Sequence, residues 1–279
     1  MTNTRRGMMG AAGSGASGYK LYTWGKGTNG ALGSGSTTSR STPTQVGTDS
    51  DWATLSVIKE AMFATKSNGT MWVWGNGGSG RLGLGNETNY SSPVQLGSLT
   101  DWPTEVTSTG FVAVGYDNCS IVKPNGTLWS WGSNNYGALG IGASDGECSP
   151  VQVGSLTDWS TVSSMGNHKS VLAIKTNGTL WAWGNNNKGQ LGLGNTTNYS
   201  SPVQVGSLTD WSFHDHNYAT GFGLKTDGTL WSWGSGTNGS PGHGNTTTYS
   251  SPVQIGSATT WITVRTDVNS GGVVGALKS

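Results

Sequence analysis

The stretch Asn177-Gly178-Thr179-Leu180-Trp181-Ala182-Trp183-Gly184, followed by Gly189-Gln190-Leu191-Gly192-Leu193-Gly194 and then Ser201-Pro202-Val203-Gln204-Val205, recurs with substitutions along the whole chain. Its Trp-Gly pair returns at Trp24, Trp74, Trp131, Trp183 and Trp233, with offsets of 50, 57, 52 and 50 residues. A period in this range marks a propeller or a solenoid array. Nineteen residues after each of these tryptophans comes a proline (Pro43, Pro93, Pro150, Pro202, Pro252), and 9 residues later a second tryptophan (Trp52, Trp102, Trp159, Trp211, Trp261). Those spacings are constant, so length variation is confined to the segment between the second tryptophan and the next Trp-Gly.

The two ends hold complementary parts of the unit. The last copy stops at Lys278-Ser279, and Gly18-Tyr19-Lys20-Leu21-Tyr22-Thr23-Trp24-Gly25 supplies what it lacks. A strand from each end can complete one shared sheet and remove an exposed edge. The expected fold is therefore all-β: a single five-bladed β-propeller of four-stranded blades over 18–279, closed by pairing of the N- and C-terminal strands. Residues 1–17 lie outside the repeat as a flexible arm.

Within one unit, Ser170 to Lys175 is a short apolar run and Asn177-Gly178 is a hairpin signal, for which a type I′ turn would place both residues at positive φ. Thr179 to Trp183 returns, and its two tryptophans share a face that can meet a neighbouring blade. Pro202 to Val205 and Trp211 to Phe213 are the remaining strand candidates, the proline being placed at a strand start. The glycines at 189, 192 and 194 permit positive φ, and the leucines between them can plug the gap between blades.

Composition narrows the function. Only 10% of the residues are charged, the formal net charge is +1, and 47 of 279 residues are glycine. Burial of the 14 tryptophans replaces the usual aliphatic core, each indole covering roughly 150 to 250 Å². Binding of nucleic acid by phosphate neutralisation has no basic run to support it. No apolar run reaches membrane-spanning length, and the segment after Arg5-Arg6 is too glycine-rich for an export signal, so synthesis in a cytoplasm is expected. Cys119 and Cys148 occupy unrelated places in the repeat and read as two small thiols, with a disulfide as the alternative.

The combination Asn-Gly-Thr-Leu-Trp-x-Trp-Gly, Gly-x-Leu-Gly-x-Gly and Ser-Pro-x-Gln-Val resembles the regulator of chromosome condensation repeat family over residues 18 to 279. That resemblance implies a β-propeller. Five copies are similar to the short prokaryotic and phage-borne versions, whereas the founding members carry seven blades, drive nucleotide exchange on a small GTPase and bind nucleosomes. No basic tail or inserted wedge matching those activities is found here. The segment Arg5 to Gly13 is similar to arms that open structural proteins of marine tailed phages, which makes Arg5, Arg6, Met8 and Met9 candidate contacts with a neighbouring subunit.

Other candidates are places where one copy departs from the rest. His168 stands in a turn where other copies have Lys59, Tyr116, Tyr218 and Gly271, so His168, Tyr116 and Tyr218 present varied side chains at one address. The long loop before Trp129 brings Phe111 and Asp117 beside Tyr116, and Asp145 and Glu147 put two carboxylates into a normally neutral loop. His243 replaces a plug leucine. His214 and His216 have a spacing that could place two imidazoles on one strand face, with His243 as a third ligand, but the matching residues Leu55, Val162 and Val264 favour a locally shifted strand. No cofactor, metal or carboxylate pair of glycosidase type is indicated. The resulting expectation is a non-enzymatic virion component of a phage, such as a fibre, tail-tip or capsid decoration. It binds other virion proteins through its arm and a host glycan or protein through its loops. The alternative is a soluble cellular binding module related to guanine-nucleotide exchange factors.

Overall fold

A computed structural model describes residues 18–58, 60–105, 113–114, 117–164, 169–217, 219–266 and 273–279. Arg5, Arg6, Met8, Met9, Phe111, Tyr116, His168 and Tyr218 fall outside these residues, as does the rest of the arm.

The described residues form twenty strands and four single-turn 3₁₀ helices. The strands are β1 Tyr22–Gly25, β2 Arg40–Gln45, β3 Trp52–Ile58, β4 Ala61–Lys66, β5 Met71–Gly75, β6 Tyr90–Gln95, β7 Ala113–Val114, β8 Asn118–Val122, β9 Leu128–Gly132 and β10 Glu147–Gln152. They continue as β11 Trp159–Ser164, β12 Ser170–Lys175, β13 Leu180–Gly184, β14 Tyr199–Gln204, β15 Trp211–Asn217, β16 Thr220–Lys225, β17 Leu230–Gly234, β18 Tyr249–Gln254, β19 Trp261–Thr266 and β20 Val274–Lys278. Four antiparallel four-stranded sheets follow in sequence order: β3 to β6, β7 to β10, β11 to β14 and β15 to β18. Three of the four open at the second tryptophan of a unit (Trp52, Trp159 and Trp211), so Trp211 begins a new sheet and does not complete the preceding one; the sheet of the third unit opens at Ala113.

The hairpin inside each sheet differs from expectation in one torsion. Among the Asn-Gly residues only the glycine has positive φ (77° at Gly178), so the turn is not type I′. Lys175 N–H donates to Thr179 O and Gly178 N–H to Lys175 O, a three-residue loop ending in a left-handed glycine. Asn177 instead keeps ordinary torsions and uses its Oδ1 to accept from Thr179 N and Oγ1 at 3.1 and 2.7 Å. Pro202 lies inside β14, at the register shift between Ala182 and Gly184, where no ladder bond is required of it.

Tryptophans build the core. Trp74, Trp131, Trp183 and Trp233 are completely buried, and Trp159 sits edge-on to both Trp181 and Trp183 at 5.9 and 6.1 Å. A lysine closes each sheet's rim: Lys175 Nζ lies 4.9 and 4.4 Å from the rings of Trp159 and Trp181 and 3.2 Å from Asp158. The same arrangement recurs at Lys66, Lys123 and Lys225. Both cysteines are free thiols.

Among the described residues no strand pair joins the two ends. β1 pairs with β2 and β20 with β19, each in a separate two-stranded sheet. Tyr19 bridges to Trp52 as its counterparts do in the other units, but Trp24, Tyr22, Val273 and Leu277 remain exposed. The two half-sheets each keep their own antiparallel ladder.

Candidate functional site

Of the two carboxylates singled out in the third unit, Asp145 lines a cleft and Glu147 does not. Asn134, Asn135, Tyr136, Gly137, Ser144 and Asp145 line it together with Asn198 and Ser200 of the following unit, around a volume of about 660 Å³. Its opening has a sequence cause. In three units an asparagine side chain clasps a tyrosine hydroxyl: Asn86 to Tyr90 at 3.2 Å, Asn195 to Tyr199 at 3.1 Å and Asn245 to Tyr249 at 3.1 Å. In the third unit those places are Ala143 and Glu147, so no clasp can form. Glu147 keeps the tyrosine's register opposite Gly132 and is half-buried, while Asp145 points into solvent.

Asn134 ties the loop down from within, as Asn186 does in the next unit. Asn134 Nδ2 donates to Ala143 O at 2.8 Å and Asp145 O at 2.9 Å, and its Oδ1 accepts from Leu139 N. Beside it, Tyr136 has φ of 62° and is 55% exposed. Asn29, Ser79 and Asn238 occupy the same left-handed position in other units. Small polar residues tolerate that conformation, whereas a bulky aromatic pays strain of about 1 to 3 kcal/mol. An exposed ring held there beside a free carboxylate and several amides can stack on a sugar or an apolar side chain while the polar groups orient it.

The remaining described candidates are placed elsewhere. Asp117 accepts from Arg81 Nη2 at 2.6 Å, in an ion pair that is largely buried, so its carboxylate is committed within the fold. His243 is half-buried, with Nε2 2.9 Å from Ser232 Oγ and its ring edge-on to Tyr249 at 4.9 Å. Burial holds its imidazole below the usual pKa.

His214 and His216 are not on a shifted strand. His214 pairs with Gly223 as Leu55 pairs with Ala64 and Val162 with Ala173, and the bulge after Trp211 matches those after Trp52 and Trp159. An imidazole simply occupies an apolar core place, satisfied by Thr161 Oγ1 at 3.0 Å and Ser163 Oγ at 2.8 Å from β11. Ser163 Oγ also lies 3.3 Å from His216 Nδ1. Burial, with a smaller contribution from His216, pushes the His214 pKa down to about 3. Among the described residues no group of three or more His, Cys, Asp or Glu is arranged to hold a metal ion.

Sequence reasoning found Asp145 and Glu147 but missed Tyr136. The available signal was an aromatic immediately before the glycine that ends the turn, where the other units place Asn29, Ser79, Lys188 and Asn238.

The regulator of chromosome condensation (RCC1) repeat matches five times, at residues 20–58, 68–120, 125–172, 177–213 and 227–266. The chain belongs to the RCC1 repeat family. It is similar to the ultraviolet-B receptor UVR8 of Arabidopsis thaliana, 34% identical over 108 residues that cover 37% of this chain and 24% of UVR8. Human protein RCC2 is 37% identical over 86 residues, 30% of this chain and 16% of RCC2. The matched segments therefore span a quarter or less of these relatives. Among solved structures, human WBSCR16 has a TM-score of 0.68 at 20% identity, covering 89% of this chain and 65% of that one. Yeast RCC1 (Prp20) bound to Kap60 gives 0.67 at 16% identity, covering 95% and 67%. These likenesses establish an RCC1-like propeller fold.

Proposed function

We propose that this chain is a non-enzymatic interaction protein of a phage particle. Residues 18–279 serve as a five-bladed propeller and residues 1–17 attach it to other virion proteins after synthesis in the host cytoplasm. The fifth blade in this reading is assembled from β19–β20 and β1–β2, whose four strands match β3 to β6 in order. The observation that carries the binding role is the cleft at Tyr136 and Asp145, where the repeat gives up its Asn–Tyr clasp and accepts a strained aromatic. Loops on a rigid scaffold are where binding function concentrates, and the chemistry suits a surface glycan or a protein side chain of the host.

Peptide mass analysis of purified virions tests the location, and absence of the chain from particles would end that part of the reading. A Tyr136→Asn, Asp145→Asn double variant should lose binding on a glycan array or to host cells while keeping its fold. Unchanged binding would remove the cleft from consideration.

The solved structure of Prp20p from Saccharomyces cerevisiae, whose description concerns its binding to Gsp1p and histones, matches 81% of this chain at a TM-score of 0.65 and 19% identity. That likeness is compatible with a second reading, a soluble cellular binding module related to guanine-nucleotide exchange factors. Accelerated nucleotide release from a small GTPase on addition of the pure chain would support it.

A further inference from the structure

The seam between the first and second units and the seam between the third and fourth have the same two surface places, filled differently. In the first seam, Asn29 holds the left-handed turn and its Oδ1 accepts from Nδ2 of Asn89 at 3.1 Å, while Asn89 Oδ1 accepts from Gly77 N–H at 2.9 Å. One carboxamide closes that seam. In the other, Tyr136 holds the turn and Asn198 takes the place of Asn89, each lying 15 residues after its Trp-Gly tryptophan. Asn198 Oδ1 keeps its part by accepting from Asn186 N–H at 2.7 Å. Its Nδ2 has no hydrogen-bond partner among the described residues, since a phenol ring has replaced the carboxamide oxygen that would take it.

Three groups are thus released around the one cleft: the Tyr136 ring, the Asn198 amide donor and the Asp145 carboxylate, which is exposed and has no ion-pair partner among the described residues. The other walls are asparagine, serine, glycine and a single alanine, and no Lys, Arg or His lines the cleft. An apolar protein side chain would meet one ring there and leave the donor and the carboxylate unpaired as it covered them, which is unfavourable. A pyranose suits all three groups. Its C–H face can lie on an aromatic ring, and each hydroxyl at its rim both donates and accepts, so an amide and a carboxylate can each take one.

We infer that the cleft takes a neutral sugar chain and discriminates against anionic ones. The inference rests on the binding role proposed above for this cleft and names its ligand class. Tyr136 carries the stacked face, Asp145 accepts from one sugar hydroxyl and Asn198 Nδ2 donates to another. Selectivity follows from charge. A uronic acid, a sialic acid or a sulfated sugar brings a negative group to a cleft whose charged lining residue is Asp145, with no cation in the lining to offset it, and like charges brought together select against the wrong partner.

The full chain is titrated with neutral hexose oligosaccharides and with uronic-acid and sulfated oligosaccharides of equal length. Neutral members should bind, anionic members should bind roughly tenfold or more weakly, and Tyr136→Asn, Asp145→Asn and Asn198→Ser should each weaken neutral binding by roughly tenfold. Two of these changes borrow residues the repeat already uses: Asn29 and Asn238 at the turn, and Ser39 at the place of Asn198, where its Oγ accepts from Gly27 N–H at 3.2 Å. Asp145→Lys should raise the anionic members to the level of the neutral ones or above it. A preference of the unchanged chain for anionic members, lost on Tyr136→Asn, would overturn the inference and leave the cleft as a binding site. Binding of no sugar, together with host-cell binding that Tyr136→Asn abolishes, would overturn the sugar class and leave the binding role standing. Absence of any binding that depends on Tyr136 would overturn both.

Discussion

Trp183 and Trp24 occupy the same place in two copies of one repeat, and their surroundings differ completely. Trp183 is fully buried against Gly140 and bonded to Ala138 O, with Trp159, Val171 and Val162 packed around it. Trp24 is likewise followed by glycine but is 59% exposed, on a two-stranded sheet. The repeat therefore does not bury its own indole. Burial comes from the adjoining unit, as in quasi-one-dimensional assemblies where interfaces between neighbours carry much of the stability. A unit without a neighbour keeps its hairpin and loses its core.

The sharpest way to break this comparison is to truncate both rings. Trp183→Ala should cost about 3 to 5 kcal/mol in denaturant unfolding, from lost burial and a cavity at the joint. Trp24→Ala should change the stability of the isolated monomer by less than about 0.5 kcal/mol, as expected for an exposed side chain. Similar costs for the two would show that the end joint is filled within one chain.

Acid probes a filled joint of a different kind. His214 bridges β15 to Thr161 and Ser163 of the preceding sheet, with His216 as its charged neighbour when protonated. Its native pKa is pushed down to about 3 from a reference of 6.5, so the unfolded chain binds a proton that the folded chain refuses across that window. Stability is therefore full above about pH 6.5 and falls by about 1.4 kcal/mol per unit as the pH drops toward the native value. At about pH 4.5 the loss from this one group is about 2.7 kcal/mol. His214→Val, the residue type at Val162 and Val264, should flatten that slope in urea titrations at several pH values. An unaltered slope would assign the acid sensitivity elsewhere.

Much of this was legible in the sequence because it is periodic. Constant spacing from Trp-Gly through proline to the second tryptophan fixed the unit, and the two tryptophans at alternate positions located the buried face. Three things were not legible. The hairpin torsions depended on whether Asn177 would turn left-handed or instead fold its carboxamide onto Thr179, and the side-chain bond won. Imidazole at place 214 read as a displaced strand because an apolar address argues against a polar residue; two hydroxyls on the facing strand satisfy it without any shift, and pairing across sheets is invisible to a single repeat. Complementary ends say that the two edges fit, but the pairing itself is not something a repeat pattern shows, and among the described residues no ladder joins β1 to β20.

A smaller effect separates the two slots themselves. Gly140→Ala must push its Cβ to within 2.7 Å of the Trp183 indole as well as adopt φ of 74°, and should cost about 2 to 4 kcal/mol. Gly242→Ala faces only the torsional penalty at φ of 79°, about 1 kcal/mol, because its slot holds no ring in the monomer. The difference between the two variants, read from thermal unfolding, measures the indole's presence.

The smallest effect has the opposite sign. Tyr136 stands in a left-handed position that Asn29 and Asn238 occupy in other units, and it makes no use of its ring in packing, being 55% exposed. Tyr136→Asn should therefore stabilise the chain, by about 0.5 to 1 kcal/mol, through relief of backbone strain alone. Gain of stability with loss of ligand binding is the signature of a residue kept for contact at a cost to the fold. Destabilisation on the same change would mean that the ring supports the loop, and the cleft would then be a by-product of the missing Asn–Tyr clasp.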